Sequence, residues 1–154
     1  MLDIDGTTVT QSSAMCRYFG KLAGLYPEDL MQALYCDEAM DATEDLTHCV
    51  VQTFGLEGDE LKNAREKLVS GWLTTFLKGL SGLLERGGGE YFADNRLTVA
   101  DLKVFLATQW LSSGSLAHVP TDIVEKTAPN LSTHCQRIKS EPVVNAYYES
   151  RNRG

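Results

Sequence analysis

The stretch Gln11-Ser12-Ser13 follows a β-branched run, TTVT, and opens an apolar pattern of helical spacing. A helix start carries unpaired backbone N–H groups and partial positive charge. Serines placed there either cap the helix or, with those N–H groups, receive a ligand carboxylate. Gln11 adds an amide that both donates and accepts. Both readings stay open on these three residues alone: an anion site, or a serine N-cap with a surface glutamine. A second group able to do chemistry is CDEAMDATEDL, where Asp37, Asp41 and Asp45 recur at i, i+4 and i+8 beside Glu38 and Glu44. Such a stripe is either a solvated helix face or a surface that meets a cation. The four cysteines, Cys16, Cys36, Cys49 and Cys135, form no CxxC pair. Adjacent helical residues point about 100° apart, so neither His48-Cys49 nor His134-Cys135 converges on one zinc ion. The cysteines read as structural thiols.

The elements that would position these groups are mostly helices. Leu2 to Thr10 reads as a hairpin with Asp5-Gly6 at its turn. A helix from Ser13 follows, with Tyr18 and Phe19 facing the core, and Gly24 to Glu28 is a linker and domain boundary. A second helix is expected from Asp29 to Phe54, with Leu30, Leu34, Leu46, Cys49, Val50 and Phe54 on its buried side. A third runs without a break from Gly58 to about Leu84 and ends at Gly87-Gly88-Gly89, which suits a left-handed cap. LTVADL starts another: Thr98 and Asp101 make a capping box, and Leu97 and Leu102 a hydrophobic staple. Asn130 to Lys139 and Pro142 to Arg151 read as two more helices.

At 154 residues with a net charge of -7, the chain is a packed domain ill suited to nucleic-acid backbones or anionic membrane surfaces. No apolar run reaches membrane-spanning length, and the expected compartment is cytoplasmic.

The run LDIDGTTVTQSSAMCRYFGKLAG resembles the P-x-L-x-x-D-G-x-x-x-x-Q-S-x-A-I-x-R-Y-L segment of glutathione S-transferases. LTVADL resembles that family's capping-box segment, and RIKSEPVVNAYYESR its I-x-x-x-P-x-V-x-x-Y ending. Order and spacing agree along the chain, and the likeness is to the sigma-like group that includes prostaglandin D synthases.

The resemblance implies a mainly α fold: residues 1–25 as the last two strands and third helix of a thioredoxin-like domain, and 29–154 as the all-helical domain. It implies that Gln11 and Ser12 hold the γ-glutamyl carboxylate of glutathione, a co-substrate rather than a cofactor. It also implies that Asp45 reaches across the two-fold axis of a homodimer to the ligand's α-amino group. Asp41 and Glu44 match carboxylates that collect a divalent metal in some sigma-like enzymes.

The implied activity is conjugation of glutathione to a hydrophobic electrophile, whose pocket would lie around Gln52, Phe54 and Trp110. The alternative is a non-catalytic structural or interaction module on the same fold. No residue matches the family's thiol-activating hydroxyl: Tyr18, Tyr26 and Tyr35 fall elsewhere. The cis-proline that binds the cysteinyl backbone would precede Met1, and the chain is expected to be a piece or truncated product of a longer transferase.

Overall fold

A computed structural model describes residues 1–151. The chain opens with β1 (Leu2–Ile4) and β2 (Thr7–Val9), paired antiparallel with Leu2 opposite Val9 and Ile4 opposite Thr7. Asp5 and Gly6 turn between them with φ of 50° and 83°, which is why a glycine is needed there. Helix α1 (Ser12–Leu22) follows, one residue earlier than the sequence pattern predicts. Eight described helices form in all: α2 (Leu30–Val51), α3 (Gly58–Leu68), α4 (Thr74–Arg86), α5 (Val99–Ser112), α6 (Ile123–Thr127), α7 (Pro129–Ser140) and α8 (Pro142–Arg151) complete the series.

Helix α5 is the hub, packed by α1, α2, α6 and α7, while α4 lies against α2 and α7. Its start is the capping box read from LTVADL. The Thr98 N–H and hydroxyl donate to Asp101 Oδ2 at 2.8 and 2.7 Å, and the Phe92 N–H donates to Asp101 Oδ1 at 3.0 Å. His134 on α7 places Nε2 3.0 Å from the same Oδ1. A wholly buried carboxylate therefore ties the α5 start to a loop and to α7. Leu97 and Leu102 both pack against the Phe105, Ile138 and Val144 cluster.

Two expected helix faces differ in the structure. On α2 the buried residues are Cys36, Ala39, Met40, Thr43, Leu46 and Val50. Leu46 and Val50 match the expectation and Cys49 is half-buried, but Leu30 is 86% exposed, and Leu34 and Phe54 are also exposed. At about 100° per residue, Leu30 and Leu34 lie on the far side of the helix from Cys36. Phe54 falls past the helix end, because α2 stops at Val51, where the Thr53 hydroxyl donates to the Val50 carbonyl at 2.7 Å.

The third expected helix is broken. A π turn at Val69–Leu73 separates α3 from α4, with Gly71 out of helical geometry at φ −116°, ψ −108°. Leu68 and Leu73, five residues apart, are both buried, although an unbroken α-helix would set them about 140° apart around its axis. The wider turn resets the phase for Leu77, Leu80 and Leu84, and it leaves Trp72 65% exposed.

Past α4, Gly88 and Gly89 adopt the left-handed conformation that the glycine run suggests. A Cβ on Gly87 would lie 2.4 Å from the Tyr91 carbonyl oxygen, so only glycine fits. Helix α6 has no counterpart in the sequence pattern.

Tyr18 and Phe19 do not face the core: Phe19 is 50% exposed and Tyr18 similarly so. Helix α1 meets the body through the side carrying Cys16 and Gly20. At Gly20 it runs so close that an added Cβ would stand 3.2 Å from Val99 Cγ1. Among the described residues, no helix is long and apolar enough to cross a membrane.

Candidate functional site

The polar step before α1 is placed where the sequence suggests, but its serines do not cap the helix. Gln11 occupies the N-cap position with φ 71°, ψ 107° and no side-chain cap bond. Ser12 and Ser13 are the first two helical residues. The Ser12 hydroxyl donates to the Glu44 carboxylate of α2. Lys103 of α5 reaches the same carboxylate and also donates to the Ser13 hydroxyl at 3.1 Å and the Ser12 hydroxyl at 3.5 Å. Burial by itself would push the Glu44 carboxyl up, but the bonds from Lys103 and Ser12 outweigh it and hold the group below its ordinary value. The Gln11 side chain is exposed and has no hydrogen-bond partner among the described residues.

One helical turn along, the Arg17 guanidinium bonds Asp37 at 2.8 Å and Asp41 at 3.2 Å. Tyr26 donates to Asp37 at 3.0 Å, and burial, helped by that bond, pushes its phenol up to about 12. Two members of the acidic stripe thus hold α1 against α2 rather than standing free in solvent. Asp45 differs: its carboxylate is exposed with no partner among the described residues. The structure brings Gln11, Ser12 and Glu44 to one edge, with Asp45 the next residue along α2.

The metal implied for Asp41 and Glu44 does not fit this arrangement. Arg17 engages the first carboxylate and Lys103 the second, so neither is a free oxygen donor for a divalent cation. Among the described residues no group of three His, Cys, Asp or Glu is arranged to hold a metal ion. The cysteines are all free thiols, and burial pushes Cys36 up to about 11. His134 and Cys135 point apart, as adjacent helical residues must: His134 to Asp101, Cys135 towards the Phe105 cluster.

Of the three residues suggested for an electrophile pocket, Phe54 and Trp110 meet edge to face, with centroids 6.3 Å apart. Gln52 is exposed and bonds His48 at 3.0 Å. An apolar groove of about 510 Å³ lies elsewhere, between α5 and α8, lined by Leu102, Leu106, Val143 and Tyr147 among others.

Sequence reasoning missed Lys103 and Arg17. A signal for Lys103 exists: it is the only Lys or Arg in α5, a helix otherwise almost wholly apolar after its first turn.

Residues 44–151 match the family model for the glutathione S-transferase C-terminal domain. Glutathione S-transferase 3 of Caenorhabditis elegans is 29% identical over 127 residues, covering 79% of this chain and 61% of that protein. Glutathione S-transferase 1 of Ascaris suum is 31% identical over 109 residues, covering 68% of this chain and 52% of that one. The chain thus spans only part of the length of these relatives.

Among solved structures, prostaglandin synthase D of Nilaparvata lugens superposes with a TM-score of 0.81 at 23% identity, over 96% of this chain and 71% of that one. The Fasciola hepatica sigma class transferase gives 0.80 at 22%, over 93% and 66%. Over the matched part these two share the fold of this chain, and they belong to the groups that the sequence resembles.

Proposed function

The chain belongs to the glutathione S-transferase family through its C-terminal domain, and on that premise we propose that its α1 edge grips the γ-glutamyl end of glutathione in a sigma-like, cytoplasmic transferase of hydrophobic electrophiles. Residues 1–25 are the closing strands and helix of a thioredoxin-like domain, and 29–154 the helical domain that supports them. The Ser12 hydroxyl and the first-turn N–H groups of α1 receive the glutamyl carboxylate. Gln11 offers its amide beside them. Asp45, exposed and without a partner among the described residues, meets the ligand's α-amino group from the other protomer of a homodimer.

The observation that carries this reading is the Gln11 backbone. A non-glycine residue at φ 71°, ψ 107° is strained by about 1–3 kcal/mol, and such strain collects where a site needs it. A plain helix start has no use for it, since Ser or Asp in extended geometry caps as well without that cost. The Gln11 side chain is exposed, and no side-chain cap bond covers the first N–H groups of α1.

In the transferase reaction this edge orients the tripeptide rather than activating its thiol. Holding a reactant by a remote charged end converts binding energy into alignment at the reacting atom. No residue of this chain is assigned the thiol-activating role.

Retention of the chain on immobilised glutathione, abolished in Gln11→Ala and unchanged in Gln52→Ala, is the expected outcome. Passage of the unaltered chain straight through the column, under conditions where its circular dichroism is fully helical, would favour a structural module instead.

A further inference from the structure

The start of α1 gathers more groups that attract an anion than a helix start supplies by itself. Lys103 stands beside both serine hydroxyls, with its side chain only 13% exposed. A cation there is unfavourable on its own, because the partial charge of a helix N-terminus is also positive. The chain offsets this with Glu44, whose carboxylate accepts from the Ser12 hydroxyl and from the Lys103 ammonium together. A carboxylate therefore already sits at this edge, and it is the protein's own. No other cation of the described residues bonds Glu44; Arg17 is committed to Asp37 and Asp41.

We infer that Glu44 is an internal stand-in for the ligand's glutamyl carboxylate, and that Lys103 is a binding residue that exchanges one carboxylate for the other. The inference rests on reading this edge as a glutathione site, and it adds a residue and a competition to that reading. Ligand affinity is then set by a difference between two ion pairs with the same ammonium. Removing the internal carboxylate must strengthen binding. Removing the ammonium must weaken it, and must also erase any gain from removing the carboxylate.

The chemistry defines the ligand class as well. A γ-glutamyl peptide with a free α-carboxylate is recognised, whereas a peptide without the glutamyl residue has nothing to exchange.

The test is a set of dissociation constants for glutathione, measured by isotope-edited NMR on the full chain at low salt. Glu44→Gln keeps the shape and removes the charge, and it should tighten binding about threefold, the scale of a partly exposed ion pair. Lys103→Met keeps the apolar stem and should weaken binding about tenfold. In the double variant the Glu44→Gln gain should vanish, a coupling that a purely structural role for either residue would not produce. Cysteinylglycine, which lacks the glutamyl end, should respond to none of these changes.

If the unaltered chain binds glutathione and Gln11→Ala weakens it, yet Glu44→Gln leaves affinity unchanged or lowers it, the exchange is overturned while the site stands. A Lys103→Met variant that binds glutathione as well as the unaltered chain overturns it equally. If neither the chain nor any variant binds glutathione, both the site and the exchange fail.

Discussion

Residues 1–26 and the helical body after them are held by different forces. In the first region only Gly20 is buried. Helix α1 is fastened by the polar ties of Arg17 to Asp37 and Asp41 and of Lys103 to Ser12 and Ser13, beside the packing of Cys16 and the close approach at Gly20, while Tyr26 ties the linker to Asp37. The linker is fixed by Arg96, which donates to the Gly24 carbonyl at 2.7 Å, and by the Val99 N–H, which donates to that of Leu25 at 2.9 Å. The body instead encloses a continuous apolar core from Cys36 through Leu84 to Leu131. Apolar packing is non-directional and strong in sum, while partly exposed ion pairs are specific and weak. On the function proposed above, the difference suits a division of labour in which the body supplies stability and the α1 edge recognition.

The largest effect should come from Asp101, the polar centre of the body. Asp101→Ala leaves the Phe92 and Thr98 N–H groups, the Thr98 hydroxyl and His134 without their shared acceptor. The loss should be about 4 kcal/mol in urea unfolding, the range for breaking a buried charged network. A loss below about 1 kcal/mol, an ordinary surface-site change, would mean that the cap is not what joins α5 to α7.

Next is a matched pair of truncations. Leu80→Ala, in the core, should cost about 3 kcal/mol, whereas Phe19→Ala, on the outer side of α1, should stay within about 0.5 kcal/mol. Equal costs in the same denaturation assay would erase the contrast between the two regions.

The capping box at Asp101 was legible because its signal is local: a Thr and an Asp three residues apart before an apolar run. The position of Gln11 and Ser12 at the start of α1 was legible for a similar reason, since a helix start and its polar step are adjacent in the chain. Lys103 was not. Its partners lie 59 to 91 residues away, and no periodicity reports such a meeting. The face of α2 was misjudged because that helix carries apolar residues almost all round, so only its packing against α4 and α5 selects the buried side. The break at Gly71 escaped for a different reason. The leucines on either side keep a plausible helical spacing, and a single glycine does not announce a π turn. Helix α6 is too short, at five residues, to establish a period.

A third prediction concerns the ties of α1. Arg17→Ala should lower global stability by no more than about 1 kcal/mol. It should nevertheless sharply reduce hydrogen-exchange protection of the α1 amides, leaving those of α5 unaffected. Loss of protection in both helices alike would show that α1 is part of the body's cooperative unit.

The smallest effect is electrostatic. The Glu44 carboxyl is held below its ordinary 4.5 in the folded chain, so its stabilising contribution is complete above that value. It is lost as pH falls through the lower folded value, and Glu44→Gln should flatten that part of the acid profile slightly. An identical profile in the variant would mean that Lys103 and Ser12 do not engage Glu44 in solution.

The claim beneath the proposal is that the α1 edge, and not the apolar groove between α5 and α8, is where glutathione sits. Chemical-shift mapping of the full chain during a glutathione titration addresses this directly. The account predicts that the amides of Gln11, Ser12 and Ser13 move most, together with Lys103. Shifts confined to Leu106, Val143 and Tyr147, with the Gln11 and Ser12 amides unmoved, would contradict it.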